Sequence, residues 1–201
     1  AVFPTYPEQA FATVCSKTGD PRKGGWLAQR ADQAKTNLAP TANNYVNCSS
    51  FYFGDNGSFR AIKGKFAACH FLMLDDLGTK VDLDRFKDFK LSWLIETSPH
   101  NYQGGIILDK PIFEGAEAER LLNTLIDANL CDKGAKQPLT RWARLPVAVN
   151  SKPTYQTEGS SPFQCKLIKW HPDNRYSTDA ILAGLQLELA PAGRPQKTKI
   201  L

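Results

Sequence analysis

The sequence predicts a single α+β domain with a central, mainly antiparallel sheet flanked by helices. Three observations carry this. Apolar runs of strand length, 66–74 and 103–108 among them, recur without regular alternation with helices. Gly54-Asp55-Asn56-Gly57, between two aromatic-rich segments, is a hairpin signal. The longest helical period lies in 113–129, where Ala116, Leu121, Leu122, Leu125 and Ile126 share one face.

Taken in order, the first 44 residues are weakly patterned. Pro21 and Gly24-Gly25 interrupt them, 26–35 fits one short helix, and 41–44 reads as a loop. Residues 45–53 favour a strand, and 59–62 fit the return strand of a hairpin. Residues 66–74 form the next strand, ending at Asp75-Asp76. The charged stretch 81–89 is a connection with at most a short helix. Strands follow at 91–96 and 103–108, with a polar loop at 97–101 between them. After the helix, in which Gly115 fits a cap better than the interior, come a polar loop at 131–140 and a further loop at 150–161. Residues 163–170 alternate in part and predict a strand. Ser177 is placed as N-cap of a last helix running to 185–189. The segment 191–201 is basic, contains Pro and has no period, which marks a tail, a linker or a truncated end.

Composition bounds the function. The chain has 201 residues and a formal charge of +5. That permits a nucleic-acid or nucleotide partner without demanding one. Cys15, Cys48, Cys69, Cys131 and Cys165 are odd in number and scattered, with no C-x-x-C, which argues against a disulfide framework or zinc site and suits a reducing cytoplasm. No apolar stretch is long enough to span a membrane. There is no G-x-x-x-x-G-K-[ST] phosphate loop, and His70, His100 and His171 are too dispersed for a paired-His metal motif.

Three segments carry unusual chemistry. Asp75-Asp76 follows His70-Phe71-Leu72-Met73-Leu74, so two like charges leave a buried strand side by side. Adjacent anions need a compensating cation, and Mg²⁺ favours a few carboxylates plus substrate phosphates. The plainer alternative is an N-cap or turn after a strand. Glu96-Thr97-Ser98-Pro99-His100-Asn101-Tyr102-Gln103 is polar between apolar strands. There Ser98, Asn101 and Gln103 can donate to phosphate or sugar oxygens. Arg141-Trp142-Ala143-Arg144 with Asn150-Ser151-Lys152 offers guanidinium forks and an ammonium suited to triphosphate. Alone, the second reads first as an ordinary turn and the third as a solvated basic face.

Leu74-Asp75-Asp76-Leu77-Gly78-Thr79-Lys80, then Glu96 to Gln103, then Arg144-Leu145-Pro146 with Asn150-Ser151-Lys152, occur in one order that resembles the plasmid and phage RepB-type primases. These are a branch of the archaeo-eukaryotic primase or primase-polymerase superfamily. The resemblance covers about residues 66–153, and 163–189 is similar to the segment that follows in phage members. It implies a catalytic core of RRM-like type over 45–190, after a family-specific segment at 1–44. It implies that Asp75 and Asp76 bind Mg²⁺ or Mn²⁺, with Asp132 the third carboxylate by spacing and Asp127 the alternative. Gln103 takes the place of the superfamily's nucleotide-binding His, so 98–103 is expected to hold triphosphate. His100 is assigned no catalytic role. Val147-Ala148-Val149 departs from the Gly and aromatic common in the family, which bears on contacts near Asn150.

The expected function is therefore that of a nucleotidyltransferase, a DNA primase or primase-polymerase. It would copy single-stranded DNA from NTPs or dNTPs during phage or plasmid replication in a bacterial host's cytoplasm, alone or with a replicative helicase. Two metals about 3.5–4 Å apart would serve the attacking and leaving oxygens. Asp75, Asp76 and Asp132 would hold them, and Arg141, Arg144 and Lys152 would balance the pyrophosphate. The alternatives are an inactive strand- or origin-binding module on the same fold and a metal-dependent nuclease.

Overall fold

The computed structural model describes residues 2–3, 7–34, 38–134, 137–155 and 161–191. Its strands are β1 (Ala10–Lys17), β2 (Gln29–Arg30), β3 (Asn43–Tyr52), β4 (Phe66–Leu77), β5 (Trp93–Ser98), β6 (Asn101–Ile112), β7 (Trp142–Arg144), β8 (Val149–Asn150), β9 (Phe163–Gln164), β10 (Lys166–Trp170) and β11 (Arg175–Tyr176). The helices are α1 (Gly115–Asp127) and α2 (Thr178–Gly184). Among the described residues one curled sheet runs β10-β5-β6-β4-β3-β1-β2. Within it β11 joins β6 in parallel, and β7 joins β3 alongside β1 and β4. The remaining pairs of this sheet are antiparallel, as the sequence predicts.

The central strand β4 explains its own composition. Leu72 and Leu74 pack with Leu121, Leu122 and Leu125 of α1 and Ile181 of α2. Phe71 and Met73 point to the opposite face, with Trp93, Ile95, Ile107, Ala143 and Cys165. A strand covered on both faces reads as an unbroken apolar run rather than an alternation. α1 buries Leu121, Leu122, Leu125 and Ile126, four of the five residues predicted from its period, while Ala118 takes the buried place expected of Ala116, which is exposed. Ser177 caps α2, its hydroxyl oxygen accepting from the Ala180 N–H.

Several elements differ from expectation. Residues 26–28 are irregular and Gln29–Arg30 is a strand, because that segment pairs with Thr13 and Val14 instead of coiling on itself. The segment before residue 45 thus supplies β1 and β2 to the sheet, with Phe11 opposite Phe51. The 54–57 turn forms, but its return is one bridge, Phe53 to Phe59, rather than a strand. β10 is separated from β9 at Cys165, which turns into the core. α2 ends at Gly184, short of 185–189. Of the expected tail, 192–201 lies outside the described residues, as do 156–160 of the 150–161 loop.

Two positions generate predictions. Gly105 lies under Trp93, and a Cβ there would sit 1.9 Å from the indole Nε1. Gly105→Ala is expected to lower stability by about 3 kcal/mol in urea unfolding. His70 is buried, its Nε2 2.9 Å from Ser50 Oγ, and burial pushes its pKa down to about 4. The unfolded chain then binds a proton through pH 6.5 that the folded chain refuses until about pH 4. Stability is fully present above pH 6.5 and falls by about 3 kcal/mol as the pH drops to 4. His70→Gln is expected to flatten that slope in urea titrations across this range.

Candidate active site

Asp75 and Asp76 lie within β4, not beyond its end. Leu74 pairs with Gly104 and Leu77 with Tyr102, so both aspartates oppose the single residue Gln103. This is a β-bulge, which re-aims side chains that would otherwise alternate across the sheet. Asp76 has φ +57°, a conformation that Asp tolerates better than most residues. The strand resumes because Leu77 is fully buried and has a partner in Tyr102.

Each aspartate has its own set of partners. The Asp75 carboxylate accepts from Gln103 Nε2 at 3.1 Å and meets Arg141 Nη2 at 3.0 Å. The other end of the Gln103 amide, Oε1, accepts from the Arg144 backbone N–H at 2.9 Å. The Asp75 N–H donates to Cys131 Sγ at 3.4 Å. Asp76 Oδ1 accepts from Asn101 Nδ2 at 3.0 Å, and Asp76 Oδ2 lies 2.7 Å from Lys80 Nζ. The same ammonium is 3.2 Å from Asp132 Oδ1. Burial raises the Asp76 pKa, but the bonds from Lys80 and Asn101, with the charges of Lys80 and Lys152, outweigh it and hold the carboxyl below its ordinary value.

Local backbone explains why Lys80 is there. The Asp76 carbonyl accepts from the Lys80 and Val81 N–H groups, folding 77–81 into a tight return. Gly78, at φ +84°, passes so close to the 99–100 turn that a Cβ would be 2.7 Å from the His100 carbonyl oxygen. Asp132 arrives from beyond α1, its N–H donating to the Asp75 carbonyl at 3.3 Å. Asp127 is exposed at the last residue of α1. Of the two, the structure brings Asp132 to the ammonium that Asp76 also meets.

The expected 97–101 loop is a tight hairpin instead. Ser98 pairs with Asn101 across Pro99-His100, and His100 takes φ +58°. Ser98 is buried at the end of β5. Arg144 is 4% exposed, and its guanidinium donates to Asn43 Oδ1, the Val149 carbonyl and Asn150 Oδ1. Asn150 in turn donates to the Thr97 carbonyl at 2.7 Å. Arg144 and Asn150 thus form a buried brace joining β3, β5, β7 and β8. Asn101 bonds Asp76, Gln103 and Arg141 bond Asp75, and the charge of Lys152 acts on Asp76. Among the described residues, no three His, Cys, Asp or Glu side chains converge into a ready-made metal cluster. Lys80 was not singled out from the sequence; the signal was a basic residue four positions after Asp76, across a glycine.

Residues 8–188 match the model of the RepB DNA-primase N-terminal domain. The chain belongs to that family. The domain resembles the primase-polymerase AEP domain of cyanophage S-2L, with a TM-score of 0.61 and 14% identity over 89% of this chain and 90% of that one. It also resembles the primase RepB′ (TM-score 0.56, 16% identity, 88% of this chain and 56% of that one). The RepB′ catalytic domain solved with initiator DNA gives the same score and identity over 87% of this chain and 83% of that one. At such identities the likeness is one of fold. No curated protein matches the sequence. The RepB-primase fold thus agrees with the α+β architecture expected from the residues.

The brace predicts a contrast. Arg144→Lys cannot reproduce a fork with three buried acceptors and is expected to cost about 3 kcal/mol in urea unfolding. Lys152→Ala, at a partly exposed position, is expected to stay within about 0.5 kcal/mol of wild type.

Proposed function

We propose that this RepB-primase domain synthesises primers on single-stranded DNA by metal-dependent nucleotidyl transfer. The observation that carries the reading is the bulge, which sets Asp75 and Asp76 against Gln103 while one ammonium touches both Asp76 and Asp132. That ammonium is a stand-in for a larger positive charge. Carboxylate oxygens are the donor class that Mg²⁺ and Mn²⁺ take, with substrate oxygens and water filling the remaining positions. The residues present therefore fit a divalent site. Asp76 and Asp132, which already share one cation, would hold the ion, with Asp75 the neighbouring carboxylate bonded to Gln103 and Arg141.

When bound, divalent ions supply charge neutralisation at the attacking 3′ oxygen and at the departing pyrophosphate. The chain's own groups do the rest. Gln103 fixes one oxygen of Asp75, and Asn101 fixes one oxygen of Asp76, so neither carboxylate can rotate freely. Arg141 and Lys152 bring positive charge to the same face, where a triphosphate would lie. Phosphoryl transfer asks for this kind of positioning and charge, not for a protein nucleophile. The template reading draws on RepB′, whose catalytic domain is described in complex with initiator DNA, and on the positive charge of this chain. NTPs and dNTPs are the proposed substrates.

The test is primer synthesis on a single-stranded DNA template with labelled NTPs or dNTPs and Mg²⁺ or Mn²⁺. Wild type is expected to make metal-dependent oligonucleotides. Asp76→Asn and Asp132→Asn are each expected to reduce the yield by about 10²-fold or more. Template binding without product, unchanged in both variants, would replace this reading with a strand-binding module.

A further inference from the structure

We propose that Lys80 is a tethered counter-ion of the Asp76–Asp132 pair, which an incoming divalent cation must displace, so that this lysine sets the metal affinity of the domain. The inference rests on the reading of Asp76 and Asp132 as metal-binding carboxylates.

Two carboxylates from distant parts of the chain meet at one ammonium, at 2.7 and 3.2 Å. The return of 77–81 onto the Asp76 carbonyl delivers the lysine, and Gly78 permits that return. Asp132 is set from its own side. Its Oδ2 accepts from the Gly134 N–H at 3.0 Å, leaving Oδ1 turned to Lys80.

The exposures assign the roles. The Asp76 and Asp132 side chains are 22% and 19% exposed, whereas that of Lys80 is 61% exposed. The cation is the solvent-side member, free to leave while the carboxylates stay. Arg141 shows the contrast: it pairs with Asp75 from a side chain only 14% exposed, so it is packed in place. The site therefore holds one fixed cation and one that can be exchanged. A single positive charge on a flexible stem, in water, is a weak competitor for a doubly charged ion with several coordination positions. It is nonetheless a competitor, and its removal leaves two half-buried anions facing each other.

The experiment is calorimetric titration of the whole chain with MnCl₂ alone, paired with thermal unfolding with and without Mn²⁺. Lys80→Met is expected to bind Mn²⁺ about fivefold more tightly than wild type. It is also expected to melt lower without metal and to gain more on adding it. Lys80→Arg, which keeps the charge, is expected to stay within about twofold of wild type. Equal or weaker Mn²⁺ binding by Lys80→Met overturns the proposal, as does an absence of binding by both proteins. Asp76→Asn separates the two levels. If it loses Mn²⁺ while Lys80→Met matches wild type, only the counter-ion role falls. If it binds Mn²⁺ as wild type does, the carboxylate reading falls, and the counter-ion role with it.

Discussion

The site depends on one register shift. Between Leu74 and Leu77, β4 uses one more residue than β6 does, and the surplus falls on the two aspartates. In a regular strand Asp75 and Asp76 would point to opposite faces, one of them into the packed layer beneath α1. The bulge leaves both beside polar partners. It is held by what flanks it. Leu74 and Leu77 are fully buried, Gly104 lets the β6 backbone lie under Leu77 and Leu91, and Gln103 ties Asp75 to the Arg144 backbone. A positive φ at a non-glycine residue costs about 1 kcal/mol or more, and this packing offsets it.

Charge is distributed in two layers around that bulge. The outer layer pairs acid with base: Asp75 with Arg141, and Asp76 and Asp132 with Lys80. The inner layer is a buried guanidinium, Arg144, with neutral oxygens as hydrogen-bond acceptors and the Tyr45 ring 4.8 Å from its carbon. A buried cation persists when its donors are directed to acceptors, and three oxygens from β3 and β8 supply them. That arrangement fixes the floor of the site and leaves Arg141 and Lys80, which meet carboxylates, to respond to substrate.

The division explains what was legible in the sequence. The 66–74 run, the 121–126 part of the α1 stripe and the Ser177 cap rest on local patterns, and each appears where the pattern put it. The aspartates were legible as a pair but not as a bulge, because a bulge is a relation between two strands and β6 is read separately. The helix assigned to 26–35 failed for the same reason: Gln29–Arg30 is fixed by β1, which no local period shows. Arg141 and Arg144 are three residues apart in one basic run. Strand alternation alone would put Arg141 and Ala143 on one side of β7 and Arg144 on the other, and only the fold shows that the first side faces Asp75.

That last contrast bears on how such sites are read. Arg141 and Arg144 are one residue type in one motif with the same expected task. Burial separates them: a guanidinium whose donors are met by Asn43, Val149 and Asn150 has little left to offer a nucleotide, whereas one that meets a carboxylate at the edge of the site can exchange that partner for another anion. Asn43 makes the point sharper, since it lies in β3, ahead of the run that carries the motif resemblance, and its amide oxygen takes both Arg144 Nη1 and the Ser151 N–H. The candidate site is therefore braced from a strand that carries none of its carboxylates. Its geometry is a property of the whole sheet, in which the motifs supply the reacting groups and the unmarked residues decide which of them face the substrate.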